Sequence, residues 1–215
     1  QGLAPLAAYN LEYRLGSSGS PEWVRHRLLA LYQGTANDNV MKLVNLKRAI
    51  GELQGRKIVV VGAASFAESL YPHIAFRPIA EVRLLVPRTD VEPLAAWLGR
   101  SEFKAQEGGA DSLGATKAMW DTRTHIFLHG SILGEAAQHE ALLGRALPMR
   151  AFGASAYRLD LEDALLVQVL LMARAGFEVP MLDFIDLREL VLGAPSMGGA
   201  YSRAVEAAVV SGRAQ

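Results

Sequence analysis

Residues 57–62 read KIVVVG, four β-branched residues in a row closed by a glycine. A strand with one wet face alternates apolar and polar side chains, and this run does not alternate. It therefore reads as a strand buried on both faces. With 215 residues and 51% hydrophobic content, the chain is long enough to bury a real core. The predicted class is α+β, with a mixed sheet of four or five short strands and flanking N-terminal and C-terminal helices.

The remaining elements are placed by period and punctuation. GSSGSP at 16–21 marks residues 1–20 as a flexible arm. Ser20, Pro21 and Glu22 then supply a capping hydroxyl, a first-turn proline and a carboxylate favourable to the helix dipole. The spacing predicts helices over 21–33, with Trp23, Leu28, Leu31 and Tyr32 inward, and over 38–53, with Val40, Leu43, Val44, Leu46, Ile50 and Leu53 on one face. A short helix over 64–71 follows the first strand, and VRLLV (82–86) is the second. A helix capped by Thr89 or Asp90 runs to Gly99. FKAQ (103–106) is an edge strand, and 114–132 holds two strands around a turn near Asp121 and Thr122. Helices follow over 135–146, 160–175, 180–193 and 196–211. Within the second of these, DLEDALLVQVLLMARA is apolar almost all round and predicts a central, fully buried helix. The closing segment is amphipathic, with Val205, Ala208 and Val209 set to pack on its own domain. The expected organisation is the arm (1–20), an α/β core with its N-terminal helices (21–150), and a helical region packed on that core (151–215).

Composition removes several function classes. There is no cysteine, hence no disulfide, thiolate zinc site or cysteine nucleophile. Lys plus Arg equals Asp plus Glu at 22 each, so no global field recruits nucleic acid or an anionic membrane. Neutrality also gives little colloidal repulsion, which suits a protein bound to a partner. No apolar run approaches the roughly 18–20 residues of a membrane span. The N-terminal stretch lacks the basic region and apolar core of a signal peptide. The expected compartment is a reducing cytoplasm. Trp23, Trp97 and Trp120 are scattered singly, as core anchors rather than a base-stacking platform.

VVVGAAS after the first strand invites a dinucleotide-binding reading, with Glu81 lying 19 residues beyond Gly62. That fingerprint needs three glycines and has one here. Its acid also follows a strand, whereas Glu81 precedes VRLLV. Gly62 otherwise permits a tight strand-to-helix turn.

A different pattern carries further. In order, the chain has Gly62-Ala63, Leu70-Tyr71-Pro72, Arg77-Pro78, EVRLLVP (81–87), FLH (127–129), RLDLEDALLVQVLLMARAGF (158–177) and DFIDLRELV (183–191). This series resembles an uncharacterised bacterial nucleotidyltransferase family of the polymerase-β-type superfamily, over roughly residues 21–193. The resemblance implies a nucleotidyltransferase-like sheet in which Gly62, Ala63, Ala64 and Ser65 face a triphosphate. It also implies carboxylates at positions 81, 83 and 127 holding two divalent ions about 4 Å apart. His129, which follows the third acid position, would line the cleft.

The residues depart from that pattern. Val61 stands where the family has a lysine, Arg83 where it has the second acid, and Phe127 where it has the third. Glu81 is the sole surviving catalytic candidate, and no metal site is expected. Three readings stay open beside a plain solvated strand end. The chain is a scaffold or regulatory module that binds a protein partner. Alternatively Arg83 is a fixed cation, and a nucleotide or other phosphate binds without metal through Gly62–Ser65, Arg77 and His129. Or relocated acids and Mg²⁺ support transfer of a nucleotidyl group from a nucleoside triphosphate to a small molecule or protein; only this last needs a cofactor. Two further groups read as structural. His125, Phe127 and His129 share a strand face, where packing outweighs metal ligation. Asp183 and Asp186, three apart on a helix, suit capping or a salt bridge with Arg188, and Arg77 reads as a solvated loop arginine.

Overall fold

The computed structural model describes residues 2–14, 20–51, 55–101, 103–106, 114–149 and 156–193. The KIVVVG run forms β1 (Ile58–Val61) inside a seven-stranded sheet, with all four residues buried. Two strands more than the upper expectation complete that sheet. They are β6 (Leu147–Pro148) and β7 (Ala156–Arg158), which are too short to show a period. With β2 (Glu81–Leu85), β3 (Lys104–Ala105), β4 (Lys117–Trp120) and β5 (His125–His129), the order is β3-β4-β5-β2-β1-β7-β6. The β2–β5 and β1–β7 pairs are parallel and the remaining pairs antiparallel, so the sheet is mixed.

Alternation along β1 divides the core. Ile58 and Val60 join one cluster, and Val59 and Val61 the other. The first face is covered by the C-terminal half of α2 (Glu22–Gly51), by α3 (Ala63–Ser69) and by α4 (Val91–Arg100), through Leu46, Ile50, Ala67 and Leu94. The second face lies under α5 (Ala136–Arg145), α6 (Leu161–Arg174) and α7 (Met181–Gly193), through Leu142, Val167 and Leu190.

Expectations about the helices, the arm and Asp186 need correction. The helices expected over 21–33 and 38–53 are one, α2, of 30 residues. Gly34 costs about 1 kcal/mol inside a helix, but side chains just beyond it anchor α2 to residues 74–79. Asn39 donates to the Ile74 and Arg77 carbonyls and accepts from the Ile79 amide, and Lys42 donates to the Ile79 carbonyl. The inward assignment holds for Leu43, Leu46 and Ile50 and fails for Trp23, Leu31, Val40 and Val44, which are exposed; Leu53 lies outside the described residues. Trp120 is also exposed, leaving Trp97 as the tryptophan packed on the core.

The arm is the second difference. Helix α1 (Ala4–Tyr9) and a π-turn over Asn10–Arg14 dock on α2, with Glu12 paired to Arg25 at 3.1 Å and Tyr9 edge-on to Phe76 at 4.8 Å. Third, α6 is buried on one face only. Ala164, Val167, Gln168, Leu171 and Met172 point inward and Val169 outward, as befits an outer layer rather than a central rod. Fourth, Asp186 pairs with Arg77 rather than Arg188, whose partner is Glu189. The helix expected over 196–211 lies outside the described residues. Among the described residues, no helix is long and apolar enough to cross a membrane.

Candidate functional site

The C-terminal end of β1 turns into α3 through Gly62 at φ +65°, ψ −148°. That conformation is essentially restricted to glycine, so the residue type is dictated by the backbone. Gly62 and Ala63 open onto a cleft of about 380 Å³, whose other walls come from β2, α6 and the α6–α7 connection. Ala64 is buried in the core instead. Ser65 is also buried, and its carbonyl accepts from Ser69. The four-residue binding stretch inferred from sequence thus contributes two residues to the cleft.

Glu81 and Arg83 lie on one face of β2, as their i, i+2 spacing dictates, and both line the cleft. They form a contact of 2.6 Å between Arg83 Nε and Glu81 Oε1. Arg83 is only 5% exposed, so the solvated-strand-end reading fails for it. Its Nη1 lies 3.1 Å from His129 Nε2. A guanidinium only donates, so Nε2 accepts and the imidazole proton resides on Nδ1. In the parallel β2–β5 register Arg83 stands opposite Phe127, and its guanidinium lies over that ring at 4.6 Å. Phe127 therefore underlies the arginine and does not plug the cleft. His129 is fully buried behind it. His125 is exposed, and four residues along a strand put it about 13 Å from His129. Among the described residues, no group of three His, Cys, Asp or Glu could hold a metal.

Arg77, read from sequence as solvated, is 8% exposed. Its Nε donates to Asp186 Oδ2 at 2.7 Å, its Nη2 to Asp183 Oδ1 at 2.8 Å and its Nη1 to the Pro78 carbonyl at 3.2 Å. Tyr71 donates to the other oxygen of Asp186 at 2.7 Å. Burial pushes the Asp186 carboxyl above the ordinary carboxylate range, against the opposing pull of Arg77 and the Tyr71 hydrogen bond. The Tyr71 phenol is raised too, first by burial and then by its bond to Asp186.

Sequence reasoning missed the far wall. Gln168, Met172, Glu178, Val179 and Asp183 complete the cleft. Gln168 and Met172 sit on the inward face of α6, and Glu178 and Val179 in the connection to α7, just past the turn that ends α6. There Gly176 and Phe177 both adopt left-handed φ, 62° and 59°, and Phe177 donates to the Met172 carbonyl at 2.8 Å. The spacing of Asp183 and Asp186 was the one signal available in the sequence.

The two-metal arrangement implied by the resemblance does not fit these residues. Glu81 Oε1 is taken by Arg83, and Phe127 offers no donor atom. A guanidinium about 4 Å from a divalent ion opposes it by about 8 kcal/mol at an effective dielectric near 20.

Comparison with known proteins agrees with the architecture. The solution structure of the antibiotic-resistance factor ANT(2'')-Ia superposes with a TM-score of 0.57 at 12% identity, covering 82% of this chain and 95% of that one. At that identity the likeness is one of fold. Among curated proteins none matches this sequence. Residues 1–204 match the family described as uncharacterised nucleotidyltransferase, and the chain belongs to that family.

Proposed function

We propose that this chain is a catalytically inert nucleotidyltransferase-fold protein that acts by binding, in a reducing cytoplasm, and engages a protein partner through its metal-free cleft. One observation carries the reading: the buried Arg83 guanidinium occupies the face where metal-holding carboxylates would stand, bonded to Glu81 and His129 and stacked on Phe127. The cation neutralises Glu81 and leaves no anionic cage for two divalent ions. The test is calorimetry with ATP, GTP, CTP and UTP, with and without Mg²⁺, together with a label-transfer assay. The expected result is no Mg²⁺-dependent binding and no transfer. Mg²⁺-dependent binding that disappears in Glu81→Ala overturns the proposal.

A second reading draws on the openness of the cleft, in which Arg83 replaces the metal as a fixed cation for a nucleotide or other phosphate. Metal-independent nucleotide binding abolished by Arg83→Glu identifies it.

A further inference from the structure

The charge balance of the cleft points to what it takes. Glu81, Glu178 and Asp183 line it against Arg77 and Arg83. Both guanidiniums are already neutralised, Arg83 by Glu81 and Arg77 by Asp183 and the buried Asp186. Among the described residues, Glu178 makes no ion pair. A triphosphate entering without metal meets an excess of negative charge.

The acceptor inventory is equally one-sided. Gln168 is 5% exposed. It lines the cleft and directs its amide nitrogen to Asp183 Oδ1 at 3.5 Å. That leaves Gln168 Oε1 with no hydrogen bond among the described residues. Asp183 Oδ2 and the Glu178 carboxylate likewise accept none there. Acceptors that meet no protein donor among the described residues suit a group that only donates, which is an ammonium. Behind them Leu171, Met172, Val179 and Pro180 form an apolar wall for an aliphatic stem. The cleft volume lies within the range of small-ligand sites.

We infer that the cleft binds a primary ammonium on an aliphatic chain, either a free diamine or a lysine side chain offered by a protein. This rests on the proposed metal-free binding role. The ammonium sits among Asp183, Glu178 and Gln168, and the methylenes lie on Met172 and Val179.

The test is calorimetry of the intact chain with 1,5-diaminopentane and, separately, with a short lysine-containing peptide; the Nε-acetylated peptide and metal-free ATP are the controls. Binding by the diamine alone identifies the free amine as the source, and preferential binding by the peptide identifies the side chain. Either supports the inference provided acetylation removes the peptide's binding, added salt weakens the amine, and Glu178→Gln lowers affinity about fivefold. Glu178 is exposed, so that variant leaves the fold intact; Gln168→Leu, expected to weaken binding without changing its salt dependence, is the second. Absence of amine binding at millimolar concentration, or equal binding of the acetylated peptide, overturns the inference. Metal-free ATP binding in place of amine sinks the inference and leaves the binding role standing. Mg²⁺-dependent nucleotidyl transfer sinks both.

Discussion

Replacing Arg77 by methionine tests the electrostatics behind the cleft. The substitution keeps an apolar stem and removes the guanidinium that joins Asp183 and Asp186. Asp183 is 19% exposed at its side chain and can recruit water, whereas Asp186 at 0% cannot. Stranding one buried charge of a pair costs about 3–5 kcal/mol, so Arg77→Met should lose that much where Asp186 is ionised. The remaining escape for Asp186 is protonation. Its folded-state carboxyl is already raised by burial, and removing the lowering influence of Arg77 raises it further. A group raised in the folded state contributes stability that is fully present below its unfolded pKa and is lost as pH rises through the folded one. The deficit of Arg77→Met should therefore be largest near about pH 8 and shrink toward about pH 5, more steeply than any slope in the parent. Adding Asp186→Asn removes the stranded charge and keeps an acceptor for Tyr71, so the double variant should recover all but about 1–2 kcal/mol. Urea unfolding followed by far-ultraviolet circular dichroism reads all three proteins. A loss below about 1 kcal/mol, a pH-independent deficit, or a double variant no better than the single one refutes the reasoning.

Two further substitutions probe the frame of the site. Gly62→Ala meets nothing within 4 Å of the new methyl group, so its cost is conformational. At φ +65° it should be about 1–3 kcal/mol in the same urea assay, with no change in m-value. Asn39→Ala removes three hydrogen bonds of 2.6, 2.8 and 2.9 Å, the last two buried, that fix residues 74–79. At about 1 kcal/mol each it should cost about 3 kcal/mol, and it should speed hydrogen exchange at the Ile79 amide, which native-state exchange resolves.

The parts that were legible in sequence are those decided by local period. The unbroken run Ile58–Val61 announces a strand covered on both faces, and it lies in the middle of the observed core. Residues 81 and 83 share a strand face because they are two apart, and they do meet. What failed depended on distant partners. The break expected between 33 and 38 is absent, and the hydrogen bonds from Asn39 and Lys42 that hold α2 in place reach residues 35 to 40 positions away. Trp23 and Leu31 fit an inward stripe, yet the buried residues of α2 begin only at Asn39, and these two stay exposed. Arg77 and Asp186 are 109 residues apart, and nothing in either segment names the other. Strands β6 and β7, of two and three residues, carry no period to read.

On the proposed metal-free reading, Arg83 and Phe127 do more than fail to ligate a metal. One cation beside Glu81 performs the charge neutralisation that a metal would, and Phe127 offers its ring face where an oxygen donor would otherwise face that cation. His129 completes the arrangement by accepting from the guanidinium, a role it can fill only while neutral. Glu81 is thus neutralised from within the protein. A guanidinium has fixed donors and no vacant coordination position, so it cannot polarise a phosphoryl oxygen and orient a nucleophile at once as a metal pair does. Reversing this takes two steps, removal of the internal cation and installation of oxygen donors on β2 and β5. Arg83→Asp alone should leave Phe127 without a donor function and the site unable to hold two ions.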